Sequence, residues 1–273
     1  MRATLRSLPA TALLWALALL FLFPVLWFLL SSFKPGSELF TWPLQLFPEQ
    51  WTLAGYKAAW ERFDFSRYFL NTFVVAASTT VLTVFVSACT GFALAKYRTW
   101  WIQVFFFCII ATTMLPTEVI MPSTFAVILG LGMYDSLAGI IIPSIVTATG
   151  IFMFRQFFRT VPDELLEAAR IDGASEYRIF FRLMLPIARP IIAVLAIFSF
   201  QWRWNDYIWP LLVLNDQKKY TLQLALRSIV GAENIDWAVL LGASVISLIP
   251  MFLLFLVFRR QIMGSDMNAG LKD

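Results

Sequence analysis

Residues 162–186 read PDELLEAARIDGASEYRIFFRLMLP, a charge-rich stretch set among long apolar runs. Its flanks decide what it is. Residues 137–158 before it and 186–212 after it hold few charges, and each is long enough for the roughly 20 residues that a membrane-crossing helix needs. Four more such runs occupy residues 9–33, 68–95, 101–130 and 238–258. The expected fold class is therefore an all-α integral membrane protein of six transmembrane helices in one domain over residues 1–273. The polar stretch 160–185 is its long loop between helices 4 and 5.

Composition agrees. The chain is 60% hydrophobic and 14% charged, with a mean hydropathy of +0.75, whereas soluble domains carry roughly 25% charged residues. A charge at the bilayer centre costs about 2.5 kcal/mol or more, so charged clusters mark loops. With the N-terminus cytoplasmic, 13 of the 21 basic residues fall inside: Arg2, Arg6, Lys96, Arg98, Arg155, Arg159, Arg170, Arg178, Arg182, Arg189, Arg259, Arg260 and Lys272. Both termini are thus expected in the cytoplasm, with residues 50 and 225 reachable from outside and residue 175 from inside. The first run is too long, and Ser31-Ser32-Phe33-Lys34-Pro35 too poor a cleavage site, for a signal peptide. Pro24 should kink that span without ending it.

Much chemistry is excluded. There is no histidine, and the two cysteines, Cys89 and Cys108, lie within apolar runs and read as packing residues. No phosphate-cradling glycine loop is present, so the chain does not bind nucleotide by itself. No basic patch is interleaved with aromatics in a soluble segment, which argues against nucleic acid. A self-sufficient secondary transporter would need coupling-ion ligands in the membrane, and only Glu118 lies deep; a membrane enzyme would need a catalytic constellation, and none is visible.

The polar stretch reads as two short helices hinged on glycine. Pro162 suits a first helical position, Asp163 and Glu164 favour the positive end of the helix dipole, and Gly173 suits a left-handed cap, giving a helix over about 162–172. Ser175 can cap a second helix in which Tyr177, Phe180, Phe181 and Met184 share one face and Arg178 and Arg182 the other. One reading is a connector lying on lipid headgroups. The other places Leu165 and Leu166 on an exposed side, with small Ala168 and Ala169 beside Glu167, for insertion into a protein groove.

At these residues a resemblance enters. Glu167–Ser175, EAARIDGAS, with Leu185-Pro186 beyond, resembles the EAA loop of permease subunits of ATP-binding-cassette importers, with Leu183 where that pattern has isoleucine. FPVLWFLLSSFKP (23–35), FRQFFRTVPDEL (154–165) and WNDYIWPLLVL (204–214) are similar to the carbohydrate-uptake, maltose-permease-like branch. The resemblance implies a non-enzymatic permease subunit of the bacterial or archaeal cytoplasmic membrane, forming half of a pathway with a second permease. It implies an extracytoplasmic solute-binding protein and two cytoplasmic ATPase subunits, which hold the ATP and Mg; this chain has no cofactor. The loop would be the coupling helix, with Asp163, Leu165, Leu166, Glu167, Ala168, Ala169, Asp172, Gly173, Ala174 and Ser175 at the ATPase. The implied solute is a sugar or oligosaccharide, with glycerol phosphate the alternative. Fixed cations in the spans would favour the phosphate ester, and only Arg203 stands near one. Residues 265–273 resemble, with departures at Ser265, Asp266 and Ala269, a tail that reaches the ATPase.

Three further sets stand out in the spans. Glu118 lies between Pro116 and Pro122, either beside a pathway in a broken helix or bonded to backbone groups the prolines free. Asn205 and Asp206 sit near the outer surface amid Trp202, Trp204, Tyr207 and Trp209, which fits an interfacial aromatic belt or a sugar-stacking platform. Ser87, Gly91 and Ala95 recur every four residues and permit close helix approach.

Overall fold

The computed structural model describes residues 2–43, 45–231 and 234–267, with side chains between 11 and 258, residue 62 apart. Among them there are helices and no strand. Residues 268–273, most of the tail singled out above, lie outside the described residues. The chain divides into two compact units, Met1–Ser66 with Leu226–Ile249 and Arg67–Ala225 with Pro250–Asp273.

In the first unit, α1 (Arg2–Ser31) runs through Pro24 without ending there. The chain turns back after it, and α2 (Ala54–Arg62) is tied to the turn by Ser32, whose hydroxyl lies 2.5 Å from that of Tyr56.

The second unit is built on α3 (Phe65–Lys96), the longest helix among the described residues. Next come α4 (Trp100–Thr112) and α5 (Thr117–Gly130), bent 108° from each other within the span expected over 101–130. The break falls at Pro116, whose ring fixes φ at −57° and disfavours helix at Leu115 before it, and whose ψ of 139° is extended. Pro122, by contrast, is accommodated inside α5. The chain continues as α6 (Leu137–Ile141), α7 (Ala148–Thr160), α8 (Asp163–Ile171), α9 (Glu176–Ile179), a π-turn over Phe180–Met184 and α10 (Leu185–Ile187). A 76° bend at Ala188 leads into α11 (Arg189–Trp204). Here Pro190 cannot donate to the Pro186 carbonyl, and its ring crowds that carbonyl, so the expected span from 186 starts three residues late. Last in the chain come α12 (Ile208–Val213), which belongs to this unit, and α13 (Leu222–Val230) and α14 (Trp237–Met267), whose stretches from Leu226 to Ile249 belong to the first unit. Among the described residues, four helical segments are long and apolar enough to cross a membrane, or six if each bent pair counts as one span.

Gly91 and Gly150 let α3 and α7 touch backbone to backbone. A Cβ built on Gly91 would stand 2.5 Å from the Phe154 Cβ and 2.9 Å from the Arg155 nitrogen, and one on Gly150 would stand 2.5 Å from the Ser87 hydroxyl. The close approach expected from Ser87 and Gly91 is therefore present. Because no side chain fits there, Gly91→Val should destabilise the protein by about 1–3 kcal/mol, or more if the backbone cannot yield. Its apparent Tm in detergent, set beside that of Gly130→Val at an open position, measures this.

The two ends of the second unit are held by different charge clusters. Asn71, early in α3, donates to the carbonyls of Lys218 and Tyr220 at 3.0 and 3.1 Å. That end lies about 37 Å from Lys96, at 1.5 Å per residue. Here Lys219 Nζ donates to Asp135 Oδ2 at 2.7 Å, and Asp135 Oδ1 accepts from the Asn215 and Asp216 nitrogens at 2.9 and 3.0 Å. The Lys219 hydrogen bond first, then the two backbone donors, hold the Asp135 carboxyl down to about 2. A lowered carboxylate pKa stabilises above its ordinary value of 3.8 and is lost as pH falls through the folded value. The loop clamp should therefore stay closed at pH 5 and open between about pH 4 and 2. A nitroxide or fluorophore at Gln217, read during acid titration, should report the opening, and Asp135→Asn should abolish the transition.

Candidate functional site

The polar insert folds as its local sequence demands. Pro162 is the residue before the first helical turn, one position earlier than expected, and α8 carries Asp163 and Glu164 in its first turn and Arg170 in its last, each charge suited to the dipole. Gly173 takes φ 77°, the left-handed turn that ends α8, and the Ser175 hydroxyl accepts from the Arg178 nitrogen to start α9. A residue with a Cβ pays for that φ, so glycine belongs there.

Two expectations need correction. Leu166 is 2% exposed and packs with Phe92, Phe154, Phe158, Ile179, Phe180 and Met184 in a single apolar cluster. It points into the protein because a nine-residue helix must bury one stripe to stay folded. The outward face of α8 is instead Glu164, Glu167, Ala168 and Ile171, all exposed, with Leu165 at its flank. Second, Tyr177, Phe180, Phe181 and Met184 do not share one face. The π-turn adds a residue to the helical repeat, so Phe180 and Met184 go inward with Ile179 while Tyr177 and Phe181 remain exposed.

What holds the insert in place comes from the end of α3, and the sequence reading missed it. Lys96, its side chain 3% exposed, donates to the Val161 carbonyl and to Asp163 Oδ1 at 2.7 Å, with Arg98 Nη2 3.5 Å from Oδ2. The Lys96 hydrogen bond is the chief reason that the Asp163 carboxyl lies below its ordinary range. Tyr97 donates to Glu176 Oε2 at 2.7 Å, and Arg170 Nε to Glu176 Oε1 at 2.8 Å. The three consecutive residues Lys96, Tyr97 and Arg98 thus clamp both helices of the insert. The signal was the run Lys-Tyr-Arg closing the second apolar stretch. Asp163 is engaged by that clamp; Asp172, Ala174 and Ser175 form the turn between the helices, with Ala174 half-buried on the apolar cluster.

Glu118 and Asp206 line one cleft of about 540 Å³ with Thr117, Thr147, Trp202 and Arg203. Arg203 Nη1 donates to Asp206 Oδ2 at 3.1 Å. Glu118 is exposed and has no hydrogen bond or ion pair among the described residues, so it is not bonded to backbone freed by the prolines. Asn205 does not line the cleft; it caps α11 and bonds the Gln201 carbonyl at 3.1 Å. Of Trp202, Trp204 and Trp209, only Trp202 is exposed. Trp204 is 1% exposed against Phe69 and Phe200, and Trp209, also buried, donates to the Gly139 carbonyl at 3.2 Å. No group of three or more Cys, Asp or Glu able to hold a metal occurs among the described residues.

Residues 87–263 match the family described as binding-protein-dependent transport system inner membrane component. The chain belongs to that family. Its relatives include the arabinooligosaccharides transport system permease protein AraQ of Bacillus subtilis, 34% identical over 94% of this chain and 92% of that protein. The diacetylchitobiose uptake system permease protein NgcG of Streptomyces coelicolor is 32% identical over 94% and 85%. The sn-glycerol-3-phosphate transport system permease protein UgpE of Escherichia coli O1:K1 is 36% identical over 88% of each. Among solved structures, a chain of a bacterial ABC transporter that imports the acidic polysaccharide alginate superposes with a TM-score of 0.85 over 95% of this chain and 97% of its own, at 24% identity, and so shares the fold. The protein is a multi-pass inner-membrane permease subunit of an ABC importer, a transport subunit and not an enzyme. Partners of that kind, a second permease, ATPases and a binding protein, go with the family.

Proposed function

We propose that this permease forms half of the pathway for a sugar or oligosaccharide and that α8 couples it to a cytoplasmic ATPase. The observation that carries the coupling is a short helix clamped on its inner side by Lys96, Asp163 and Leu166 while its outer side offers Glu167, Ala168 and the apolar Ile171, which is 86% exposed. A rigidly held helix with a small, partly apolar free face fits a groove and passes a displacement through without yielding. The ATPase subunits supply ATP and Mg. Glu118 and the Arg203–Asp206 pair stand beside the solute's route in the cleft they share.

Two relatives named for oligosaccharides support the sugar. The glycerol-phosphate reading rests on relatives such as UgpE and needs a free cation for the phosphate. Arg203 is neutralised by Asp206, which favours the uncharged solute. Thermal stabilisation of the cognate binding protein, screened over oligosaccharides and glycerol phosphates, decides between them. Stabilisation by glycerol phosphate alone would reject the sugar, and transport by this chain without partner subunits would reject the importer.

Orientation follows the basic-residue count, with both termini and the insert inside. Residue 225 is a poor outer reporter, because Ala225 is 1% exposed. In a background lacking Cys89 and Cys108, cysteines at the exposed Gln50 and Lys218 should react with an impermeant thiol reagent on intact cells, and one at Ser175 only after lysis. Labelling of Ser175→Cys before lysis would invert the topology.

A further inference from the structure

The clamp side of the insert also walls a cleft of about 510 Å³ between the end of α3, α4 and α7. Four cations line it, Lys96, Arg98, Arg155 and Arg159, against one carboxylate, Asp163. Asp163 is already engaged by Lys96 and Arg98, so two positive charges one helical turn apart have no ion-pair partner among the described residues. Arg155 is held in a defined pose: its guanidinium carbon lies 3.8 Å from the centre of the Phe106 ring, and its Nε is buried with no hydrogen-bond partner. A buried donor without an acceptor among the described residues, beside a second arginine, is a site built for an external anion.

The surroundings say which anion. Ile102 and Phe106 form an apolar wall of the cleft, and the same helix exposes Val104, Phe105 and Phe107. Its first turn carries Trp100 and Trp101, stacked at 3.5 Å and 59% and 66% exposed, as side chains at headgroup depth are. From these features we infer that the cleft binds the phosphate headgroup of an anionic phospholipid, with its acyl chains along α4. Guanidinium forks match a phosphodiester, and basic pockets between spans at the membrane boundary hold such headgroups. Val161, Pro162 and Asp163 line the same cleft, so the lipid lies against the entry of the coupling insert.

The test is native mass spectrometry of the full-length chain in its purified complex, titrated with phosphatidylglycerol or phosphatidylcholine. Phosphatidylglycerol should be retained at one site per chain in preference to phosphatidylcholine. Arg155→Gln with Arg159→Gln should weaken it about 30-fold, near fivefold per charge, while Arg155→Lys with Arg159→Lys keeps the preference for the anionic lipid. Should the glutamine pair fail to fold, Arg159→Glu at an exposed position carries the test, with a loss of at least fivefold. Equal binding of both lipids, or unchanged phosphatidylglycerol binding in the arginine variants, overturns the proposal. So does displacement of the lipid by excess inorganic phosphate, which would make the occupant a free anion. Exclusion of lipid from the complex by a partner subunit covering the cleft would overturn it equally.

Discussion

Glu167→Lys and Gly173→Val are expected to abolish solute uptake while the helices still insert, leaving ATPase subunits absent from the complex or hydrolysing ATP without transport. Glu167 stands on the outward face of α8, free of the clamp, and under the proposed coupling its carboxylate would meet a basic groove on the ATPase. Truncating one member of a buried interfacial charge pair costs about 2–5 kcal/mol, and reversing its sign adds repulsion. Gly173 acts through the backbone. At φ 77° a β-branched residue is strained by about 1–2 kcal/mol or more, and relief would swing α8 away from α9. A built Cβ meets nothing within 4 Å at Gly173, so the loss there is one of aim and not of packing. Arg178→Ala, at an exposed site on α9, should be mild. Membrane insertion is checked by protease protection, coupling by uptake and by retention of the ATPase on an affinity-tagged permease. Normal uptake and retention in both variants would make the insert a mere connector.

Lys96→Met should come close to the same phenotype without touching the outward face. Its ammonium is the donor that satisfies the Val161 carbonyl and Asp163 at the start of α8, and methionine keeps the apolar stem while removing both bonds. A buried carbonyl left unpaired costs about 1–3 kcal/mol, which shifts the balance between a docked and a loose insert by about 5- to 150-fold. The exposed Arg98 contact adds little, as surface pairs do. ATPase binding should survive, since the Glu167 face is intact, while uptake per ATP hydrolysed falls. Lys96→Arg, which keeps a cationic donor, should recover part of it. Hydrogen exchange at residues 162–172 separates the two variants: Lys96→Met loosens the whole helix, whereas Glu167→Lys leaves it protected. Unchanged exchange and full coupling in Lys96→Met would show that the clamp is ornamental.

Much of this protein was legible in its sequence because the bilayer imposes a strong local rule. Apolar runs of about 20 residues announce helices wherever they fall, and a chain without histidine, glycine phosphate loop or acidic cluster announces that its energy comes from elsewhere. Local chemistry was readable too: the Gly173 turn and the Ser175 cap depend on residues within four positions of each other. The tertiary structure alone decided where those elements point. Leu166 turns inward because Phe92, far off in sequence, and Phe158, on the preceding helix, complete a core that only folding assembles. The π-turn at Phe180–Met184 shifts a face that regular helical spacing would have kept together. Lys96 reaches Asp163 across 67 residues, and Asp206 shares the wall of a cleft with Glu118 from another helix. Periodicity governs neighbours a turn apart, whereas clamps and clefts arise from packing between distant segments, which no local pattern encodes.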